Sequence, residues 1–367
     1  MNTFDALNIF YKEDTISDFL VSCFKDSKEF MVGFLKKANI TITQDATVQI
    51  ETRVGLGKSI GTPDIVILVK DRNKSNLIII ENKMGAAEGH EQTNRYESLE
   101  ARERIAERFQ LDANHTDYYY IFLALDTTTK PKNSAFAFLN YHIFLEGDWL
   151  LQDQTLQRLF SDFQQKLRDF YKPVKTPYES LDFSDNLDAM QRKICWQTIL
   201  YETISTNPNF IFNWGEFAGA GRSNFLFLIS KNNWTSSESF EEAGLATTFN
   251  IHIDTYVDLL ADKNNTIKEI GIRFETQPYV PHNEIKPLPG YEEFLENKRE
   301  FSKRLYQEVK KIGMQAKVRN SKLLALSIPI NVNNTRETVQ VIKNRVDTIE
   351  GCIDQVVADM KEEGIIK

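Results

Sequence analysis

Residues 61–96 read GTPDIVILVKDRNKSNLIIIENKMGAAEGHEQTNRY. Two apolar runs, 65–69 and 77–80, are separated by KDRNKSN, whose Asp, Asn and Ser favour a turn. Their β-branched residues and this spacing predict paired strands over 63–69 and 77–81. Both runs meet charge at one end: Pro63-Asp64 opens the first, and Glu81-Asn82-Lys83 closes the second. Carboxylates and an ammonium at the margin of a core need a partner, a proton or a metal. Side chains alternate along a strand, so Glu81 and Lys83 share a face.

The triplet alone decides little. Acid-x-Lys recurs elsewhere in the chain, as at 26–28, 284–286, 296–298 and 308–310. On a helix, residues two apart lie on different faces, so the copies at 296 and 308 read as ordinary solvated charges. The copy at 81–83 differs in its setting. It follows an apolar strand and stands one hairpin away from the only Pro-Asp in the chain.

Working outward, Ile16, Phe19, Leu20, Cys23 and Phe24 recur at helical spacing and predict a helix over 4–24. A strand is expected at 46–54, with a glycine-bearing connection, VGLGKSIGT, at 54–62. After Gly85 the pattern is helical up to Phe109. YYYIFLAL at 118–125 is the continuous apolar strand expected in a sheet covered on both faces. Another strand at 136–144 and a helix at 153–170 precede YKPVKTPYESLDFSDN (171–186), which reads as a linker. Beyond it, helices are expected at 187–205, 291–312 and 335–363, and strands at 225–230, 246–254, 267–276 and 323–330. The expected domains are therefore 1–172 and 185–367, in keeping with a length of 367 residues.

The composition is that of a globular protein, 41% hydrophobic and 26% charged, with no run near the ~18 apolar residues of a membrane span. The first residues are acidic and lack the basic-then-apolar pattern of a signal peptide. Cys23, Cys195 and Cys352 are scattered, which argues against a disulfide framework and a structural zinc site and makes a reducing cytoplasm the simplest compartment. The net charge of −8 taken alone counts against nucleic acid as a partner, but residues 298–322 carry nine Lys/Arg and two Glu, a local +7, which leaves room for an anionic ligand at one face. A helix there, with Phe294, Phe301, Leu305, Val309 and Ile312 inward, either grips phosphates with its outer face or is simply solvated. GEFAGAGR at 215–222 could offer backbone N–H groups to an anion or be a plain loop.

The order helix, strand, hairpin, helix, strand over residues 1–170, with Asp64 ahead of the hairpin and Glu81-Asn82-Lys83 at its exit, resembles the PD-(D/E)xK nuclease superfamily. Gln92 and Tyr96, spaced as QxxxY, are similar to the exonuclease-like branch of that superfamily. Glu13, one turn before Ile16 and two before Leu20, resembles the helix glutamate that often completes such sites. The resemblance implies an α/β, restriction-endonuclease-like fold, a mixed central sheet flanked by helices. A C-terminal α+β domain for substrate or partner recognition is expected to follow it. Metal-dependent hydrolysis of phosphodiester bonds is implied, with DNA ahead of RNA, in bacterial phage defence or DNA repair.

Asp64 and Glu81 are then the expected ligands of Mg²⁺ or Mn²⁺, with the backbone carbonyl of Asn82 as a third. Glu13 would bind the same metal through water, or a second ion. Lys83 would orient or deprotonate the attacking water, or stabilise the transition state. Gln92 would hold the lysine, the water or a phosphate, and Tyr96 would pack beneath the site. Because restriction-like cores often pair, a homodimer or a separate partner protein is expected; no membrane is.

Each residue also has a plain reading. Glu81 with Lys83 makes a same-face ion pair, Asp64 and Asp126 suit turns, and Glu13 complements a helix dipole with Asp14 as N-cap. Glu88 and His90 read as surface residues flanking the motif. Two other classes of function stand beside the nuclease. One is a catalytically silent, nuclease-derived module that binds nucleic acid or protein, against which the intact Asp64, Glu81 and Lys83 speak. The other is an interaction protein whose acids form structural ion pairs.

Overall fold

A computed structural model describes residues 2–367 except 44, 72–73, 87, 90, 184–185, 220–221, 259–266, 268, 320–323 and 329–333. The chain divides into two compact units, Met1–Lys175 and Thr176–Lys367. Unit 1 opens with helices α1 (Thr3–Ala6), α2 (Glu13–Asp26) and α3 (Lys28–Lys37). Strands β1 (Thr47–Thr52), β2 (Ile65–Asp71) and β3 (Lys74–Lys83) follow, then α4 (Gln92–Glu97) and α5 (Leu99–Arg108). Strands β4 (Thr116–Ala124) and β5 (Phe136–Asn140) and helix α6 (Gln154–Val174) complete it.

The five strands form one mixed sheet in the order β1-β2-β3-β4-β5. β1, β2 and β3 pair antiparallel, whereas β4 and β5 run parallel to β3. Residues Ile65–Val69 of β2 and Leu77–Lys83 of β3 are buried without alternation, as in a sheet covered on both faces. On one face, Ala101 and Ile105 of α5 and Tyr96 of α4 pack on Val66, Leu68, Leu77, Ile79 and Phe122. The other face is covered by α2, α3 and α6, joined by rings such as Phe24 on Phe34 and Phe19 on Phe163. Fully burying each such side chain contributes about 1.5–3 kcal/mol.

Where the elements depart from expectation, capping and turn chemistry explain the difference. The helix expected over 4–24 is two helices, because Asn8 takes a left-handed conformation (φ 50°) between them. α2 therefore starts at Glu13, after a Lys12 that provides no side-chain cap, and Asp14 sits in its first turn rather than at the N-cap. The helix expected after Gly85 breaks at Ser98, whose Oγ accepts the Ala101 N–H and starts α5. The strand at 136–144 stops at Asn140, whose side chain caps a short 3₁₀ turn, Tyr141–Leu145. α3 has no counterpart among the expected elements; Ser27 caps it, and Gly33 at its centre lies against Trp149. The expected linker is largely helical. α6 runs on to Val174, and α7 (Pro177–Phe183) begins with a proline, at the position where its missing N–H is not needed.

Unit 2 continues with α8 (Ala189–Ile204), β6 (Ile211–Gly219), β7 (Arg222–Ser230), α9 (Phe240–Ala243), β8 (Asn250–Asp258) and β9 (Glu269–Glu275). The last elements are α10 (His282–Ile285), α11 (Tyr291–Lys311), β10 (Ala316–Lys317), β11 (Leu324–Ser327) and α12 (Thr335–Glu362). Its strands make an antiparallel sheet, ordered β10-β11-β9-β8-β7-β6. One face carries the core, for example Phe274 against Phe294 and Phe301 of α11. β6 is absent from the expected strands because glycines interrupt its pattern, yet it pairs with β7 along its whole length. GEFAGAGR is thus a hairpin, with its tip at 220–221 outside the described residues.

Part of the basic segment is paired with acids. Arg304 pairs with Glu300 and Glu363, Lys311 with Glu308, Lys303 with Glu300, and Arg319 with Glu269. Ile312, expected inward, caps the end of α11 and is half exposed. Among the described residues, no helix is long and apolar enough to cross a membrane.

Candidate active site

The last β2–β3 pair is Ile65 with Ile80, so the next positions outward are Asp64 and Glu81. Asp64 is fixed there by a tied loop. Its carbonyl accepts the Arg53 N–H at 3.0 Å, and Arg95 Nε holds the Ile60 carbonyl. Gly61 needs its φ of +114°, and a Cβ there would lie 3.4 Å from the Tyr96 ring.

Beyond the β2 pairing, the Asn82 N–H turns to Asp64 and donates to its Oδ2 at 2.7 Å. The neighbouring Lys83 carbonyl points the other way and accepts the Leu125 N–H at 2.8 Å. N–H and C=O of one strand residue point to the same side, so the Asn82 carbonyl faces the Asp64 side. The Asn82 side chain lies on the opposite sheet face, where it donates to Ser17 Oγ at 3.0 Å and accepts from Tyr141 at 2.6 Å. These bonds clamp the strand at the centre of the triplet.

Glu81 and Lys83 project on the α4–α5 face. Glu81 is 1% exposed and Lys83 7%. Lys83 Nζ lies 2.5 Å from Glu81 Oε1 and 3.7 Å from Glu13 Oε2. Glu13 reaches round the strand end from the first position of α2, and its Oε1 accepts the Met84 N–H at 3.1 Å. Gln92 Nε2 donates to Glu81 Oε1 at 2.7 Å and to Tyr96 Oη at 3.1 Å. Tyr96 is buried beneath, as a packing residue. Glu81 Oε2 is buried with no hydrogen-bond partner among the described residues.

Two carboxylates so placed resist ionising together. Burial pushes Glu81 up to about 8, with the Asp64 charge adding to the rise. Burial also pushes Asp64 up to about 6, against the lowering effect of the Asn82 N–H and of Lys83. For Lys83, burial alone would favour loss of the proton, but Glu81, Glu13 and Asp64 outweigh it and the ammonium is retained.

A divalent cation fits this chemistry. The orphaned Glu81 oxygen, the raised carboxyls and the Asn82 carbonyl are what a hard cation would relieve. Among the described residues no three His, Cys, Asp or Glu side chains converge as a complete cage. A two-carboxylate set suits a hard divalent cation that keeps much of its water.

Asp64, Glu81, Lys83, Glu13 and Gln92 are the site residues expected from the sequence, and the fold brings all five together. The Ser17 and Tyr141 clamp is an addition. Ser17 stands four residues after Glu13 and so shares its helix face, while nothing near Tyr141 marks it. Glu88 has a structural task instead of a surface one. It accepts from Thr93 N and Oγ1 at the start of α4 and from Lys132 N across the β4–β5 connection. Asp126 is a turn acid, accepting from Thr128 and Thr129. His90 lies outside the described residues.

A family model described as the PD-(D/E)XK nuclease superfamily matches residues 1–206, more than half of the chain and extending through α8. No curated protein and no solved structure matches. Members of this superfamily are generally metal-dependent nucleases. With its hairpin, triplet and mixed five-stranded sheet, this chain belongs to the PD-(D/E)XK nuclease superfamily.

Proposed function

We propose that the chain is a divalent-cation-dependent deoxyribonuclease, with Asp64, Glu81, Lys83, Glu13 and Gln92 as its working residues and Mg²⁺ or Mn²⁺ as its ion. The observation that carries this reading is the buried, unpartnered Glu81 Oε2 beside Asp64, in a cluster whose carboxyls are both raised by burial. When bound, a divalent cation neutralises charge at the phosphoryl oxygens and makes water more acidic. Asp64, Glu81 and the Asn82 carbonyl would hold it, and Glu13 would complete the arrangement at the strand end.

The remaining groups are the protein's own contribution. Lys83, kept as an ammonium, brings a fixed positive charge to where negative charge develops on the phosphoryl oxygens. Gln92 positions Glu81, donating to its Oε1 while Tyr96 Oη and the Gly89 N–H hold the rest of the amide. Support for DNA comes from the tasks this superfamily often serves, restriction, repair and defence against mobile elements. The scattered free cysteines support a cytoplasmic setting. A second copy or a separate partner chain would supply the pairing that restriction-like cores often use.

The reading is tested by incubating the full chain with linear duplex DNA, circular duplex DNA and single-stranded RNA, in Mg²⁺, Mn²⁺ or EDTA. DNA cleavage that EDTA abolishes is expected. Cutting of linear but not circular DNA would indicate attack from ends. Cleavage confined to RNA would overturn the choice of DNA, and no cleavage of any substrate would favour the silent binding module.

A further inference from the structure

The second sheet has a face that the nuclease chemistry does not use. Along β7, β8 and β9, alternate residues point away from the helices, and on that side lies a cavity of about 700 Å³. Its floor has a larger apolar part and a smaller polar one. Leu226 and Leu228 form one part, and a hydrogen-bonded group centred on Asp254 forms the other. Gly271 stands opposite Asp254 in the β8–β9 register, so no side chain fills the hollow above it from that strand.

Asp254 is 0% exposed, and its two oxygens are shared among three neighbours. Oδ1 lies 2.6 Å from His252 Nδ1, while Oδ2 accepts from Tyr256 Oη at 2.7 Å and from Arg273 Nε at 2.5 Å. Burial would raise the Asp254 carboxyl, but His252 and Arg273 outweigh it and keep it below the ordinary carboxylate range. An ionised carboxylate only accepts, so His252 Nδ1 must carry the proton. Nε2 is then the ring nitrogen left for a ligand in the cavity that His252 lines. Such a buried, pre-set polar group is more than a sheet needs for stability, since an apolar residue at 254 would pack with no such demand.

The rest of the lining narrows the ligand. Asn213, Asn250 and Gln277 bring amides that both donate and accept. Tyr279 stands at the rim, 64% exposed, with its ring available to stack. Charge is balanced: Asp254 and Glu275 face Arg273, with Lys298 3.9 Å from Glu275. A bare phosphate backbone would meet no net positive field here. A flat ring with donors and acceptors on its edge matches an aromatic rim, amides and a fixed imidazole.

We propose that this cavity of the C-terminal unit binds a nucleobase, either of a free nucleotide or of an unpaired position in a strand. The choice of a nucleobase over other planar ligands rests on the nucleic-acid reading of the first unit. The test is equilibrium binding to the full-length protein in EDTA, so that nothing is cut. The probes are the common nucleosides and their 5′-monophosphates, ribose 5-phosphate, and short single-stranded oligodeoxynucleotides with and without an abasic position.

At least one nucleoside should bind saturably, and ribose 5-phosphate should not. Tyr279→Ala should weaken nucleoside binding about tenfold. His252→Ala should do the same or more, and Asp64→Asn, in the other unit, should leave it unchanged. If an oligonucleotide binds far more tightly than the monophosphate and loses this at the abasic position, the source is a strand; equal affinity points to the free nucleotide. Because Tyr279 is exposed, its variant remains informative even if His252→Ala fails to fold. Absence of nucleoside binding, equal binding of ribose 5-phosphate, or indifference to Tyr279→Ala would overturn the proposal. Retained nucleoside binding in a protein that cuts nothing would remove the nuclease reading and leave this one standing.

Discussion

Asp64→Asn is expected to lower the rate of DNA cleavage by about 10³-fold or more while leaving the fold intact. The substitution is nearly isosteric, and Asn Oδ1 can still accept the Asn82 N–H that Asp64 Oδ2 accepts at 2.7 Å. What disappears is one of the two carboxylates proposed to hold the cation. Lys83→Ala should fall by a similar factor for a different reason, since it removes the positive charge held between Glu81 and Glu13. The two variants can be told apart. Raising the Mn²⁺ concentration should restore part of the Asp64→Asn rate, because binding is weakened, and none of the Lys83→Ala rate. Single-turnover cleavage followed against Mn²⁺ concentration, with circular dichroism to confirm folding, gives both numbers. Wild-type rates in Asp64→Asn would place the chemistry elsewhere.

The second large effect is on stability. The Asp64 and Glu81 carboxyls ordinarily titrate at 3.8 and 4.5, and burial raises them in the folded chain to about 6 and about 8. The folded state therefore holds protons that the unfolded state has released. Stability from this source is complete below pH ~4 and is lost as pH rises to about 8, the reverse of the usual salt-bridged carboxylate. Each tenfold gain in proton affinity on folding corresponds to ~1.4 kcal/mol, so the loss for the pair is on the order of several kcal/mol.

Glu81→Gln removes most of this dependence. In EDTA at pH 8 the variant should melt above wild type, and at pH 4 the two should melt together. Mg²⁺ should stabilise wild type more at pH 8 than at pH 5, because cation and protons compete for the same oxygens. Thermal melts of both proteins across pH, with and without Mg²⁺, measure these differences. A Glu81→Gln variant less stable than wild type at pH 8 would instead make Glu81 a structural partner of Lys83.

Most of unit 1 is legible in the sequence because its signals are local and concordant. Continuous apolar strands, a turn-rich connection and acids at the strand margins all point to one sheet edge, and period-two geometry puts Glu81 and Lys83 on one side of it. What escapes depends on single capping residues. Asn8 and Ser98 break what periodicity alone joins into longer helices; α2 then starts at Glu13, and a left-handed Glu91 starts α4 at Gln92, which puts the two within reach of Lys83 and Glu81. The Asn82 clamp is invisible in the sequence, since Tyr141 comes to it from 59 residues away.

In unit 2, β6 is hidden because its glycines blur the alternation. The local +7 of the basic segment overstates its charge in the fold, because Glu363 and Glu269, which pair with Arg304 and Arg319, lie far off in sequence. The Asp254 group has a visible trace, His252, Asp254 and Tyr256 at every second position. That pattern states a shared face but not that the face is hollow.

The proposed nuclease chemistry rests on a divalent cation held by Asp64 and Glu81. Calorimetric titration of Mn²⁺ into the full-length protein at pH 8 addresses it without any assumption about substrate. Saturable binding in wild type that is lost in both Asp64→Asn and Glu81→Gln is the predicted result. No binding in wild type, or the same binding in all three proteins, would contradict it.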